Sequence, residues 1–292
     1  MINQLILNGI IAGSIYALIA LSFSIIYRTV KFFHFAHGVV YTAGAYCAYT
    51  LMTYLGFHIV LAFLISMIFT CGLGILIDKT TYLPLRTRKS PPFVFLLASF
   101  GILIFLQNLI ALIFGNQILT IRTGPIKEGY SFLSAIITQN QIIILIVSII
   151  LMFLLWFFMI KTKLGKKMRA VSDDPVAASV VGINPNKIIA SAFGIGSALA
   201  GAAGILISLE TNIEPTMGFS ALLKGVIASI IGGIGSIPGA MLGGFFLGIV
   251  ENLGIWHIQA GWKDTIAFAV LIIFLLFRPG GIFNVKSEKE EL

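Results

Sequence analysis

Residues Ile231–Gly244 read IGGIGSIPGAMLGG, inside an otherwise apolar run from 225 to 254. That run is too long for one membrane helix of roughly 20 residues. It is also unusually rich in glycine. Gly232, Gly233 and Gly235 loosen a helix, and Pro238 removes a backbone donor. The expectation is two short helices meeting at Ser236–Gly239, as either two short crossings or a re-entrant hairpin. The number of passes here decides on which side of a membrane the rest of the chain lies.

Outside this run the composition points the same way. Of 292 residues 58% are hydrophobic and only 10% charged, against about a quarter charged in a soluble domain. Further apolar runs lie near 2–27, 33–55, 58–77, 92–114, 141–160, 188–209 and 264–277. The short alternating segments of a membrane β-barrel are absent. The expected fold is all-α: one polytopic membrane domain over 1–292, with eight to nine membrane segments. The first run starts at Met1 without a basic lead and is too long for a signal-peptide core, so it is expected to stay in the mature protein. Cys47 and Cys71 lie in apolar runs and read as small packing residues rather than a disulfide framework.

Charge tests the count. With the N-terminus outside, the inner segments 28–32, 78–91, 161–187 and 278–292 hold fifteen of the nineteen Lys and Arg residues. The outer segments hold Arg122, Lys127, Lys224 and Lys263. This obeys the positive-inside rule. A single pass over 225–254 would put Lys286 and Lys289 outside and spoil it. The formal charge of +8 thus reads as orientation, and no basic-aromatic cluster suggests nucleic acid. The outer loop 115–140 carries a Gly124-Pro125 turn signal, and the tail 286–292 is expected to be disordered.

One stretch is polar: KMRAVSDDPVAASVVGINPNKI, Lys167–Ile188. With 161–187 on the inner side, it is too short for an independent domain. Pro175 suits an early helical position with Asp173 or Asp174 as N-cap. Val176, Ala177, Val180 and Val181 share a face, and Gly182 would close the helix. This short amphipathic helix is either a solvated connection against the membrane or a docking element for a cytoplasmic partner's groove.

Four stretches resemble the branched-chain amino acid permease family of ABC importers. They are GSIYALIALSFSIIY with FFHFAHGVVYTAGAY (13–27 and 32–46), YLPLRTRKSPPFVFLLASFGILIFLQN (82–108), the loop pattern Arg169-Ala170 … Asp174-Pro175-x-Ala177-Ala178 … Gly182-Ile183, and GGIGSIPGAMLGGFFLGIVE with the later RPGGIF (232–251 and 278–283). The match runs in order over nearly the whole chain. Its length and ending favour the H-type subunit over the M-type. The resemblance implies a multi-pass permease in a bacterial inner membrane, N-terminus outside and C-terminus cytoplasmic. It also implies a second, M-type permease, two cytoplasmic ATPases carrying ATP and Mg, a periplasmic substrate-binding protein and a small polar solute, branched-chain or similar amino acids. This chain has no G-x-x-x-x-G-K-S/T phosphate loop, so the ATP chemistry would lie elsewhere. The coupling segment would comprise Arg169, Asp173, Asp174, Pro175, Val176, Ala177, Ala178, Val180, Gly182 and Ile183. Three positions depart from the family: His34 replaces its usual Asn, Val39 a common acidic residue, and Arg28 a frequent glycine. Related permeases carry urea, short amides or sugars.

Candidates for the translocation path follow from polar groups at membrane depth, which are costly. His34 and His37 lie three apart. Two histidines are too few ligands for a zinc site, and no metal or other cofactor is expected on this chain. They bond nearby carbonyls, or His37 and Gly38 break or cap a helix at a gate. Tyr41 and Tyr46 alternate with small residues. Gln107 and Asn108 either link helices or face the path. Gly232, Gly233, Gly235, Ser236 and Pro238 form the broken segment, whose freed backbone groups near the midplane could meet solute; the rival reading is tight packing. Glu251 follows them. Glu210 and Glu214 end the sixth segment and either meet a binding protein or face water. A self-sufficient channel or secondary transporter would want more buried ionisable groups. An enzyme would need a nucleophile–base pair or an H-E-x-x-H set, and neither is present.

Overall fold

The computed structural model describes residues 2–121, 129–132, 134–256 and 259–283. Its helices are α1 (Ile2–Val30), α2 (Ala36–Thr53), α3 (Ile59–Ile77), α4 (Leu83–Thr87), α5 (Pro92–Phe114), α6 (Gln139–Lys161), α7 (Lys163–Asp173), α8 (Pro175–Val180), α9 (Pro185–Ser208), α10 (Met217–Gly232), α11 (Ile237–Gly254) and α12 (Lys263–Phe277). A π-helical turn, Asp78–Tyr82, joins α3 to α4. An antiparallel hairpin, β1 (Tyr130–Phe132) and β2 (Ala135–Ile137), is a small exception to the all-α pattern. The Gly124-Pro125 turn and the tail 286–292 lie outside the described residues.

Each expected membrane segment coincides with a helix. Among the described residues, however, six helices are long and apolar enough to cross a membrane, rather than eight or nine: 2–30, 59–87, 92–114, 139–161, 185–208 and 237–254. The difference lies in three helices. α10 has 16 residues and α12 has 15, short of a full span. α2 has 18 residues but carries His37 and three tyrosines.

The broken run is a helical hairpin whose turn falls at 233–236, three residues before the expected Ser236–Gly239. Gly233 (φ 104) and Gly235 (φ 87) supply the left-handed backbone of the turn. Ser236 then caps α11 by accepting from the Gly239 amide at 3.2 Å. Pro238 sits in the first turn of α11, where its missing N–H would be unbonded anyway. It opens the second helix and does not break the first.

Buried α1 is the hub: it packs most extensively against α11 and also against α9 and α10. Small residues allow the closest approach. A Cβ on Gly13 would come within 2.8 Å of the Phe245 Cα, so only glycine fits. Close packing by small residues is how membrane helices associate when lipid offers no hydrophobic drive. α2 and α3 pack on α9, and α5 lies against α2. The outer faces of α3, α5 and α6 expose large apolar side chains such as Ile68, Leu112 and Phe153, as a lipid-facing surface requires.

Candidate functional site

The polar stretch forms two helices where the sequence suggested one. Thr162 caps α7 by accepting from Gly165 at 3.0 Å. Met168 and Val171 are buried and Leu164 partly so, while Lys163, Lys166 and Lys167 are exposed. Asp174, not Asp173, caps α8. Its Oδ1 accepts from the amides of Val176 (2.7 Å) and Ala177 (3.1 Å). Pro175 opens α8, and Gly182 ends it in the left-handed region (φ 80). Only Ala178 is buried on α8, with Ile183 partly packed beside it. Val176, Val180 and Val181 are 71%, 82% and 73% exposed. A capped two-turn helix thus presents bare valines away from the bundle.

The end of α7, directly before α8, is fastened to α1. Arg28, in the last turn of α1, donates from Nε to the Ser172 hydroxyl (2.8 Å) and from Nη2 to Asp173 Oδ1 (3.3 Å). Arg28, Arg169, Ser172 and Gly235 line a crevice of about 10 Å³, room for about one water. The 233–236 turn is therefore at the same end of the bundle as α8. It is not near the midplane, where the sequence reading had placed it. Lys31, just beyond α1, sits at φ 56. Burial, then the neighbouring Arg28, pull its ammonium pKa below the ordinary lysine value, against the opposing pull of Asp173.

The candidate path residues fall into three places rather than one. His34 and His37 are buried together, rings 5.9 Å apart, with His34 in the segment before α2. They bond side chains and not carbonyls: His34 Nδ1 pairs with Tyr82 Oη (2.8 Å) and His37 Nε2 with Ser22 Oγ (2.7 Å). Phe193 packs edge-on to His34. His37 and Gly38 lie in the first turn of α2 and do not cap it; the N-cap is Phe35. At the start of the π turn that ends at Tyr82, buried Asp78 is gripped by the Arg86 fork at 2.7 and 3.2 Å, which braces the turn.

The second place is the far end of the bundle. Gln107 lines an open polar cleft of about 590 Å³ with Thr211, Glu214, Thr216, Phe219 and Ser220 among its walls. Glu210 is held by Gln141 (2.7 Å). Asn108 faces outward and donates to its own helix at Ile104. Tyr41 is buried against Gly204. Tyr46 is buried against Phe114, rings 4.8 Å apart.

The third place is a charged knot between α1, α10, α11 and α12 that the sequence reading saw only as Glu251. Lys224 Nζ reaches Glu251 Oε2 (3.3 Å), Asp264 Oδ1 (3.1 Å) and the Tyr16 hydroxyl (3.1 Å). The Tyr16 hydroxyl also donates to Glu251 (2.8 Å). Lys224, counted among the outer charges, is in fact folded into the bundle. Tyr16 lies about 18 Å along α1 from Arg28 at 1.5 Å per residue, so the knot is well inside the helical layer. Among the described residues, no group of three metal-ligating side chains is present. Cys47 and Cys71 are free and partly buried.

A hub helix ringed by apolar helices, with a polar capped element at one end, defines a polytopic α-helical membrane protein. Residues 5–275 match the family described as branched-chain amino acid transport system / permease component, and the chain belongs to that family. It is 39% identical over 96% of its length, and 95% of the relative's, to the high-affinity branched-chain amino acid transport system permease protein BraD of Pseudomonas aeruginosa. It is 37% identical, with the same coverages, to the permease protein LivH of the corresponding system of Escherichia coli K12. Among solved structures it is similar to PsaBC from Streptococcus pneumoniae in complex with Fab, at 15% identity and a TM-score of 0.47, covering 94% of this chain and 88% of that one.

Proposed function

We propose that this chain is a permease subunit of an ATP-driven importer and that it carries branched-chain or similar aliphatic amino acids inward. It is not itself an enzyme: the ATP and Mg would be bound by two cytoplasmic ATPase subunits. One observation carries the reading. A two-turn helix, fixed at both ends by an Asp cap and a left-handed glycine, exposes Val176 and Val180, with Val181 just beyond it, on the basic side of the bundle. Exposed apolar residues on a rigid short helix suit insertion into a partner's groove, and nothing in the membrane layer needs them. The basic residues around it support a cytoplasmic position for α8 and the C-terminus, and an outer position for the N-terminus.

The polar cleft at the opposite end would receive solute from a periplasmic binding protein, with a second permease subunit completing the path. The amino-acid assignment rests on the substrates named for the two similar relatives. The test is co-purification. Val176→Asp with Val180→Asp touches only exposed positions, so the chain should remain folded, while the ATPase subunits should no longer accompany it. Retention of the ATPases at wild-type level would refute the role of α8. Uptake of leucine by the isolated chain without ATP would refute the importer reading.

A further inference from the structure

We infer that Arg28 is a positioning residue that transmits movement of α8 into the membrane helices. This rests on α8 being the element an ATPase moves, as proposed above. The guanidinium is a rigid planar fork, and here its arms reach two consecutive residues, Ser172 and Asp173. Those residues end α7, directly before Asp174, whose extended backbone (φ −149, ψ 107) forms the joint with α8. Ser172 is buried, so its bond to Arg28 is shielded from competing water, whereas the Asp173 side chain is 70% exposed. The hydroxyl contact therefore holds the joint, and the ion pair adds little, because exposed pairs are weak.

The stem of Arg28 makes a second connection. Its Cβ, Cγ and Cδ pass 3.6 Å from the Cβ position of Gly235, over the turn between α10 and α11. One side chain thus links the end of α7, the end of α1 and the inner turn of the α10–α11 hairpin. α1 is in turn the helix on which α9, α10 and α11 pack. The crevice among these residues holds about one water. Movement of α8 passed through Asp174 to the end of α7 meets no slack there; it pulls on α1 and the hairpin turn together. The docking surface itself, Val176 and Val180, lies on the exposed side of α8 and does not include Arg28. Docking and transmission are therefore separable.

The experiment uses the complete transporter in proteoliposomes, with both permeases, both ATPases and the binding protein. Leucine uptake and ATP hydrolysis are measured in the same vesicles. Arg28→Ala should keep the ATPases bound at wild-type level but lower leucine taken up per ATP by about tenfold, the factor expected for one charge-assisted hydrogen bond. Ser172→Ala removes the acceptor without touching α1 and should lower the ratio similarly. Asp173→Asn should change it less than twofold. Arg28→Lys, which can reach one partner but not both, should recover part of the ratio. An unchanged ratio in both Arg28→Ala and Ser172→Ala overturns the inference, as does loss of the bound ATPases in both. A wild-type complex that assembles no ATPase refutes the permease reading instead, so the two failures are distinguishable.

Discussion

Replacing Lys224 by methionine isolates the charged knot. The substitution keeps an unbranched side chain only one atom shorter and deletes its charge. Glu251 is fully buried and Lys224 only 14% exposed, while Asp264 is 63% exposed. At the observed 3.3 Å and an effective dielectric constant of 20, the attraction between Lys224 and Glu251 is about 5 kcal/mol. Removing one partner of such a buried pair costs about 3–5 kcal/mol, mainly because the other charge is left uncompensated. The Asp264 contact, open to solvent, should contribute less than about 1 kcal/mol. Lys224→Met should therefore lower the apparent Tm of the detergent-solubilised chain by about 10 °C, taking about 2–4 °C per kcal/mol for a large domain. Asp264→Asn should lower it by no more than about 4 °C on the same scale. The double variant Lys224→Met with Glu251→Gln removes both charges and should regain most of the loss, since the penalty came from the stranded carboxylate. Thermal melts of the four proteins, followed by intrinsic fluorescence, give the complete comparison. Equal small losses for Lys224→Met and Asp264→Asn would refute the reasoning, because Glu251 would then carry no charge that needs compensation. A double variant no better than Lys224→Met would refute it too.

Two further outcomes follow from packing and pairing. Gly13→Val should destabilise by about 1–3 kcal/mol or prevent folding, because its Cβ would meet the Phe245 backbone; Gly72→Val, at a position with open space around it, should stay within about 0.5 kcal/mol of wild type, and melts of the two variants check the contrast. Arg86→Ala strands buried Asp78 and should cost about 3–5 kcal/mol; Arg86→Lys, which loses the fork but keeps a charge, should fall between it and wild type in the same melts.

How far the sequence alone discloses this molecule depends on the range of each interaction. The apolar runs place all the membrane helices, because span length and composition are local properties. The α8 element is equally legible, since Asp174, Pro175 and Gly182 occupy the cap, first-turn and closing positions that local backbone chemistry prescribes. The displaced hairpin turn has a physical reason: Pro238 breaks a helix interior, but proline is equally at home in the first turn of a helix. α7 was missed because its lysines masked the spacing of Leu164, Met168 and Val171; that spacing, after the Thr162 cap, was the available signal. Glu251 drew notice as an ionisable group at membrane depth. Its partners Tyr16 and Lys224, and Asp264 which shares Lys224, lie on three other helices, and no periodicity relates them. The Arg86–Asp78 fork depends on a π turn, for which the sequence offers no cue. Nor does spacing show that Arg28 ends opposite Ser172.

The central claim is that α8 lies on the cytoplasmic side and receives a partner there. Its most direct test is the reactivity of a single cysteine at position 180, in a background where Cys47 and Cys71 are replaced by alanine. With a membrane-impermeant thiol reagent, Val180→Cys should be silent in intact cells and react in inverted vesicles. Co-expression of the ATPase subunits should then protect it. Ile118→Cys, exposed at the opposite end, should show the reverse sidedness. Labelling of position 180 from outside intact cells, at the rate seen for position 118, would contradict the account.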